Sequence, residues 1–338
     1  IHPISRVNTV DFHSNQVVLL LACALLLSPL PFPCGLQCTT HQLYVTRQKK
    51  TFQAKPLHTA YIAVTIFAKY SPENIQGPGC DIDPSEVTLP GCSCHAHSCL
   101  RESCSCLQTY GQTCRQTYDS HGRLQDQGDT ETGYCRPVFE CNALCGCSEA
   151  CFNRVVQRGL GLKLCVYPTE DRGWGMRTLE PIPCGTFVCE YAGEVIGFEE
   201  ARRRQLAQGL EDNNYIIAVR EYAGQGPVSE TFVDPTVVGN VGRFLNHSCQ
   251  PNLFMVPVRV HSLVPRLALF AGRDITPQEE LTFDYSGGYS NTPSVERLVQ
   301  SDPGTEASET GTLQRKPCHC GAQNCSQFLP LDLSVLNN

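Results

Sequence analysis

The chain has 338 residues, 41% of them hydrophobic and 17% charged. At roughly 100 to 200 residues per domain this is two or three domains with enough apolar material for a core, which excludes wholesale disorder and a coiled coil. Thirty-three acids against 26 bases give a net charge of −7. The chain therefore lacks the basic footprint of a nucleic-acid binder and suits a cationic partner.

Residues 1–70 read as a leader that carries no recognisable chemistry. Its one long apolar run, Val17 to Leu27, has 11 residues, too short for the ~20 that cross a bilayer but within the span of a signal-peptide core. Pro29, Pro31 and Pro33 follow without a small-residue cleavage pattern, so the expectation is an extraneous or disordered segment with no membrane span. A turn-rich stretch from Ser71 to Gly79 then opens a cysteine-rich region, expected to form one domain over residues 75–158.

A middle domain is expected over 160–287. Its strand candidates are Thr186 to Tyr191, Tyr215 to Val219, Thr231 to Val233, Leu253 to Val260, Leu267 to Phe270 and Leu281 to Tyr285. Phe198 to Gln208 has helical composition, acids first and arginines later, with the arginine run expected to face solvent. Residues 288–313 read as a polar loop, and residues 314–332 as a compact cysteine tail.

Of 22 cysteines, twelve lie between Cys80 and Cys151. Nine form two half-clusters: Cys92, Cys94, Cys99, Cys104 and Cys106, then Cys141, Cys145, Cys147 and Cys151. Repeated Cys-x-Cys spacing suits tetrahedral zinc better than disulfides, because neighbouring thiols cannot close on each other. Three zinc ions need twelve sulfur bonds, and nine cysteines supply them when three sulfurs bridge two metals each. The competing reading is a secreted disulfide module that adds Cys80, Cys114 and Cys135. On the zinc reading those three are plain thiols, His95 and His97 are surface residues, and the metals are structural. In the tail, Cys318, Cys320 and Cys325 lack one ligand, and Cys249 is expected to supply it and pin the tail.

Three ordered motifs carry a resemblance. They are Arg172-Gly173-Trp174-Gly175, Arg243 to Asn252 (RFLNHSCQPN) and Glu280 to Tyr285 (ELTFDY). Together they resemble the signature set of SET-domain lysine methyltransferases. The nine-cysteine region resembles that family's pre-SET domain, and the tail resembles its post-SET segment. The phrases Pro137 to Asn142, Asn153 to Gln157 and Asn214 to Ala218 narrow the likeness within the family.

The resemblance implies a mainly β, knotted fold in which the segment from Asn246 to Asn252 threads beside the active site. It implies S-adenosylmethionine as methyl donor, met by Arg172, Gly173, Trp174, Tyr215, Arg243, Asn246 and His247, with Phe328 as a cover. It implies Tyr285 in the catalytic-tyrosine position, assisted by Tyr215, with Phe283 governing how many methyl groups fit. It also implies a histone H3 tail on a nucleosome as partner, DNA met only indirectly, and action on chromosomes in the nucleus. A silent chromatin-binding module of the same fold is the alternative.

The residue types fit that chemistry on their own terms. A lysine must arrive neutral, and at pH 7.4 its ordinary pKa near 10.4 makes this cost about 4 kcal/mol, which desolvation in an aromatic channel offsets. Phe187, Tyr191, Tyr215, Phe283 and Tyr285 are the candidate walls. Phe283 in place of a hydroxyl-bearing side chain leaves room for a product beyond monomethyl-lysine.

Overall fold

The structure, a computed structural model, describes residues 17–22, 42–47, 69–95, 97–108, 117–125, 137–209, 212–222, 228–287 and 316–330. Cys114, Cys135 and the expected polar loop at 288–313 lie outside the described residues, as does most of the expected leader. Among the described residues no helix is long and apolar enough to cross a membrane.

The described residues form three small sheets. The first runs β1 (Val17–Ala22), β2 (Gln42–Arg47), β6 (Leu164–Pro168) and β7 (Trp174–Thr178), all antiparallel. The second orders β10 (Ile217–Tyr222), β11 (Val228–Gly239), β9 (Gly193–Ile196) and β4 (Ile75–Gln76), with β3 (Lys69–Tyr70) also on β11. The third orders β12 (Asn246–His247), β15 (Thr282–Phe283), β13 (Leu253–Arg259), β14 (Arg266–Ala271) and β8 (Phe187–Tyr191), with β5 (Val138–Phe139) beside β13.

Their shared core holds Leu164, Met176, Ile182, Leu253, Leu267, Leu269 and Leu281, each almost fully buried. β8 is buried along its whole length, so its sequence shows no polar alternation apart from Glu190.

Differences from the strand expectations have local causes. The run at Tyr215 becomes strand only at Ile217, because Tyr191 Oη donates to the Tyr215 carbonyl at 2.6 Å and holds it off the ladder. β11 runs through Asp234-Pro235, where the register shifts on its partner β9, so the proline sits at a bulge rather than ending the strand. β15 stops at Phe283 because Asp284 Oδ1 accepts from the Ser286 N–H at 2.9 Å and turns the chain.

Among the described residues are two short α-helices: α1 (Ser105–Gln108) lies within the cysteine region and α2 (Phe198–Leu206) has Glu199 and Glu200 in its first turn. The arginine run is a correction. Arg203 is exposed, but Arg204 bonds Glu194, Glu200 and Asp234, each at 2.8 Å. Ala201 is buried together with Ile196 and Phe232, which packs this face of α2 onto the second sheet and brings Arg204 over two of its carboxylates.

β5 fastens the cysteine region to the third sheet, continued by the N–H of Glu140, which donates to the Arg259 carbonyl at 2.9 Å; Glu140 is 2% exposed. Its carboxylate accepts from Tyr118 Oη at 2.9 Å, the Val155 and Val156 N–H groups at 2.9 and 2.7 Å, and Gln157 Nε2 at 2.8 Å. Replacing Glu140 by alanine orphans these buried donors and is expected to cost about 3 kcal/mol, read as a lower urea midpoint.

Candidate active site and metal centres

β12 and β15 lie side by side in parallel, pairing Asn246 with Thr282 and His247 with Phe283. Asn252 locks the segment: its Oδ1 accepts from the Thr282 N–H at 2.9 Å and its Nδ2 donates to the Glu280 carbonyl at 2.7 Å. Two motifs far apart in sequence thereby share one strand pair.

On one side of that pair stands a polar bridge. Glu280 accepts from Arg172 Nη2 at 2.7 Å through Oε2 and from Asn246 Nδ2 at 3.0 Å through Oε1. Asn246 Nδ2 also donates to the Trp174 carbonyl at 3.2 Å. Gly173 has φ +65°, a left-handed turn that glycine adopts without strain. At Gly175 a Cβ would stand 2.8 Å from Thr169 Cγ2, 3.1 Å from Glu280 Oε1 and 3.2 Å from Asn246 Nδ2, so a side chain there would crowd the bridge.

The other side is aromatic. Phe283, 2% exposed, packs on Tyr285 at 4.9 Å and on Tyr191 at 6.1 Å between ring centroids. His247 stacks obliquely on Tyr285 at 5.3 Å, and its Nδ1 accepts from the Tyr285 N–H at 3.3 Å. Tyr285 Oη donates to the Leu245 carbonyl at 2.8 Å. Arg243 lies over the Tyr215 ring at 4.6 Å and donates to the Pro235 carbonyl at 3.1 Å.

Burial, and the nearby Tyr215, push the Tyr285 phenol above its ordinary value, although the residue keeps 38% of its surface exposed. Such a phenol is neutral at pH 7 and poorly suited to take a proton. Burial lowers His247, against the pull of Asp284, so its imidazole is neutral as well.

Phe187 is a correction. It packs on Phe270 at 5.7 Å in a separate core cluster with Val256 and Val258, because the strand continues two pleats before reaching Tyr191. Glu280 is the residue that sequence reasoning missed as a site member. Its signal was its place at the head of the ELTFDY motif, which a carboxylate does not need for strand formation.

The nine cysteines converge. The sulfurs of Cys92, Cys94, Cys99 and Cys104 lie within 4.8 Å of one another, as do those of Cys99, Cys141, Cys147 and Cys151. The remaining Cys106 and Cys145, 3.6 Å apart, each fall within such a group with Cys92 and Cys141. Cys99 stands 3.7 Å from both Cys92 and Cys141. Tetrahedral bonds of about 2.3 Å place sulfurs about 3.8 Å apart, so the spacing fits zinc. Hydrogen bonding from Cys141 lowers the Cys106 and Cys151 thiols, which favours thiolate at these two positions. No disulfide occurs among the described cysteines. His95 and His97 are exposed, as expected of surface residues.

Cys249, Cys318, Cys320 and Cys325 likewise lie within 4.8 Å of one another. The Ser326 N–H donates to Cys249 Sγ at 3.4 Å and Asn324 Nδ2 to the Cys249 carbonyl at 3.2 Å. Phe328 is bridged to Pro317 on this tail and remains 43% exposed.

Two family models match the chain, the SET domain over residues 173–286 and the Pre-SET motif over residues 37–154. The mouse histone-lysine N-methyltransferase SETMAR is 53% identical over 270 residues, 79% of this chain and 82% of that protein. The chain belongs to the SET-domain histone-lysine methyltransferases. It spans 37% of the length of human SETMAR, to which it is also 53% identical. The crystal structure of the human SETMAR methyltransferase domain superposes with a TM-score of 0.65 at 47% identity, covering 84% of this chain and 93% of that one. A crystal structure of KRYPTONITE in complex with mCHH DNA, H3(1-15) peptide and SAH has a TM-score of 0.56 at 32% identity, covering 77% and 47%. The Pre-SET match begins inside the segment read from sequence as a leader, and β2 lies within it.

Prediction for this SET site: Glu280→Gln keeps one acceptor but loses the charge facing Arg172. It is expected to weaken S-adenosylmethionine binding about tenfold in calorimetry, with the melting temperature nearly unchanged.

Proposed function

We propose that this chain transfers methyl groups from S-adenosylmethionine to a lysine of a histone H3 tail by in-line displacement. The observation that carries the reading is the single strand pair β12–β15, which sets the Arg172–Glu280–Asn246 bridge against the Tyr285–Phe283–Tyr191 aromatic cluster. The methyl donor, when bound, supplies an electrophilic methyl on a positively charged sulfur.

Arg172, Gly173, Trp174, Asn246 and His247 hold the donor in this reading, with Tyr215 and Arg243 closing its pocket and Phe328 lying over it. Phe283, Tyr191 and Tyr215 wall the lysine channel, excluding water and disfavouring the ammonium form. Tyr285, held by Leu245, orients the neutral amine for attack. The bound histone segment, positively charged, complements the net −7 of the chain. The nine-cysteine cluster would hold three zinc ions, with Cys92, Cys99 and Cys141 each within reach of more than one quartet, and Cys249 with the tail cysteines would hold one more, and these would stabilise the scaffold. In this reading the domains are 75–158, 160–287 and 314–332. The work is done on nucleosomes in the nucleus, and DNA is met through the nucleosome.

Mass spectrometry of H3 peptides and nucleosomes incubated with labelled donor tests this. Methyl-lysine is the expected product; donor binding without product would replace the enzyme by a silent chromatin-binding module. Phe283→Tyr is expected to shift the product toward fewer methyl groups, since its added hydroxyl fills channel volume and anchors water.

A further inference from the structure

β8 carries Glu190 and Tyr191 in succession, and successive strand residues face opposite sides. Tyr191 belongs to the aromatic cluster. Glu190 faces a different cavity of about 80 Å³, lined also by Glu73, Asn74, His261, Ser262 and Arg266. A water needs roughly 10 to 15 Å³ on the same measure, so the space exceeds one solvent molecule.

The cavity is polar and short of a positive charge. Glu190 is 6% exposed and its Oε1 has no hydrogen-bond partner. Its Oε2 meets Arg266 Nη1 only at 3.5 Å, while the same nitrogen bonds Glu73 Oε1 at 3.0 Å. One guanidinium thus serves two carboxylates. Burial, and to a lesser degree Glu73, push the Glu190 carboxyl up to about 7 against the pull of Arg266. His261, its Nδ1 also without a partner, is lowered by burial and by Arg266 and adds no charge at neutral pH. Glu73 is half exposed, which leaves an entrance on its side.

We propose that this cavity receives one arginine side chain of a protein partner, its guanidinium bonding the free Oε1 of Glu190. A guanidinium is the cation suited to such a place, being weakly hydrated and presenting several donors in one plane to a buried carboxylate. The site is separate from methyl transfer and its occupancy is read without turnover.

The test titrates the full chain, labelled at histidine for NMR, with Nα-acetyl-arginine methylamide and with the neutral citrulline analogue. A saturable shift of the His261 imidazole by the arginine probe alone is expected. Glu190→Gln should weaken it by about tenfold or more, and Glu73→Gln at the rim by about threefold. An equal response to citrulline, no shift of His261, or an arginine response unchanged in both variants would overturn the assignment.

Discussion

Metal analysis of the purified, reduced chain is expected to return about four zinc per molecule, and removal of the metal to collapse the segment from Cys92 to Cys151. Around the sulfurs the buried cluster is Leu107 together with cysteines, while Tyr118, Leu124 and Val138 pack elsewhere, against the third sheet. Structural zinc contributes on the order of 10 kcal/mol in small modules, comparable with a domain's whole usual margin of about 5 to 15 kcal/mol. The effect should grade with position. Cys141, fully buried and 3.7 Å from Cys99, sits among sulfurs of more than one quartet, whereas half-buried Cys94 occurs in one. Cys141→Ser is therefore expected to leave little soluble folded protein, and Cys94→Ser to give a folded chain with a lower melting temperature and easier loss of zinc to a chelator. Equal behaviour of the two variants, or zinc-free protein with an unchanged melt, would defeat the cluster assignment.

The second large effect is on rate. Tyr285→Phe removes the hydroxyl that bonds the Leu245 carbonyl and leaves the ring against Phe283 and His247. Packing survives, so the fold and donor affinity should change little. Methyl transfer should fall about 10²-fold, the scale of a lost orientation near the reacting atoms. Both enzymes are expected to speed up as pH rises from 7 to 9, because the reactive form is the neutral amine of a lysine with pKa near 10.4. A variant whose pH profile flattened would instead make Tyr285 a proton acceptor, a role that its raised pKa opposes.

Much of this arrangement was legible in the chain, for reasons that differ by residue. Cysteine spacing is a local property dictated by tetrahedral ligation, so both half-clusters could be read directly, and the arithmetic of the incomplete tail pointed to Cys249. Strands such as β13 and β14 announced themselves by apolar runs. β7 and β9 did not, since Trp174-Gly175-Met176-Arg177-Thr178 and Gly193-Glu194-Val195-Ile196 mix glycine with charge and owe their form to partners distant in sequence. The same limit hid Glu280. Its role depends on Asn246, which the parallel register of β12 and β15 brings to it, and on Arg172, which precedes β7 and comes near through the bridge between Arg177 and Glu280. Phe187 was misassigned because sequence records that a ring is buried, not which of two clusters it joins.

The pairing of Val138 with Val258 and of Asn246 with Thr282 ties together stretches whose encounter requires closing long loops of chain. Loop closure of that kind must precede any reward from contact, so the search for the native topology is slow compared with that of a helical protein of equal stability. Until the metals are bound the thiols stay bare, and recovery from denaturant is expected to depend on having zinc and reductant at hand before thiols oxidise or open strand edges pair with one another.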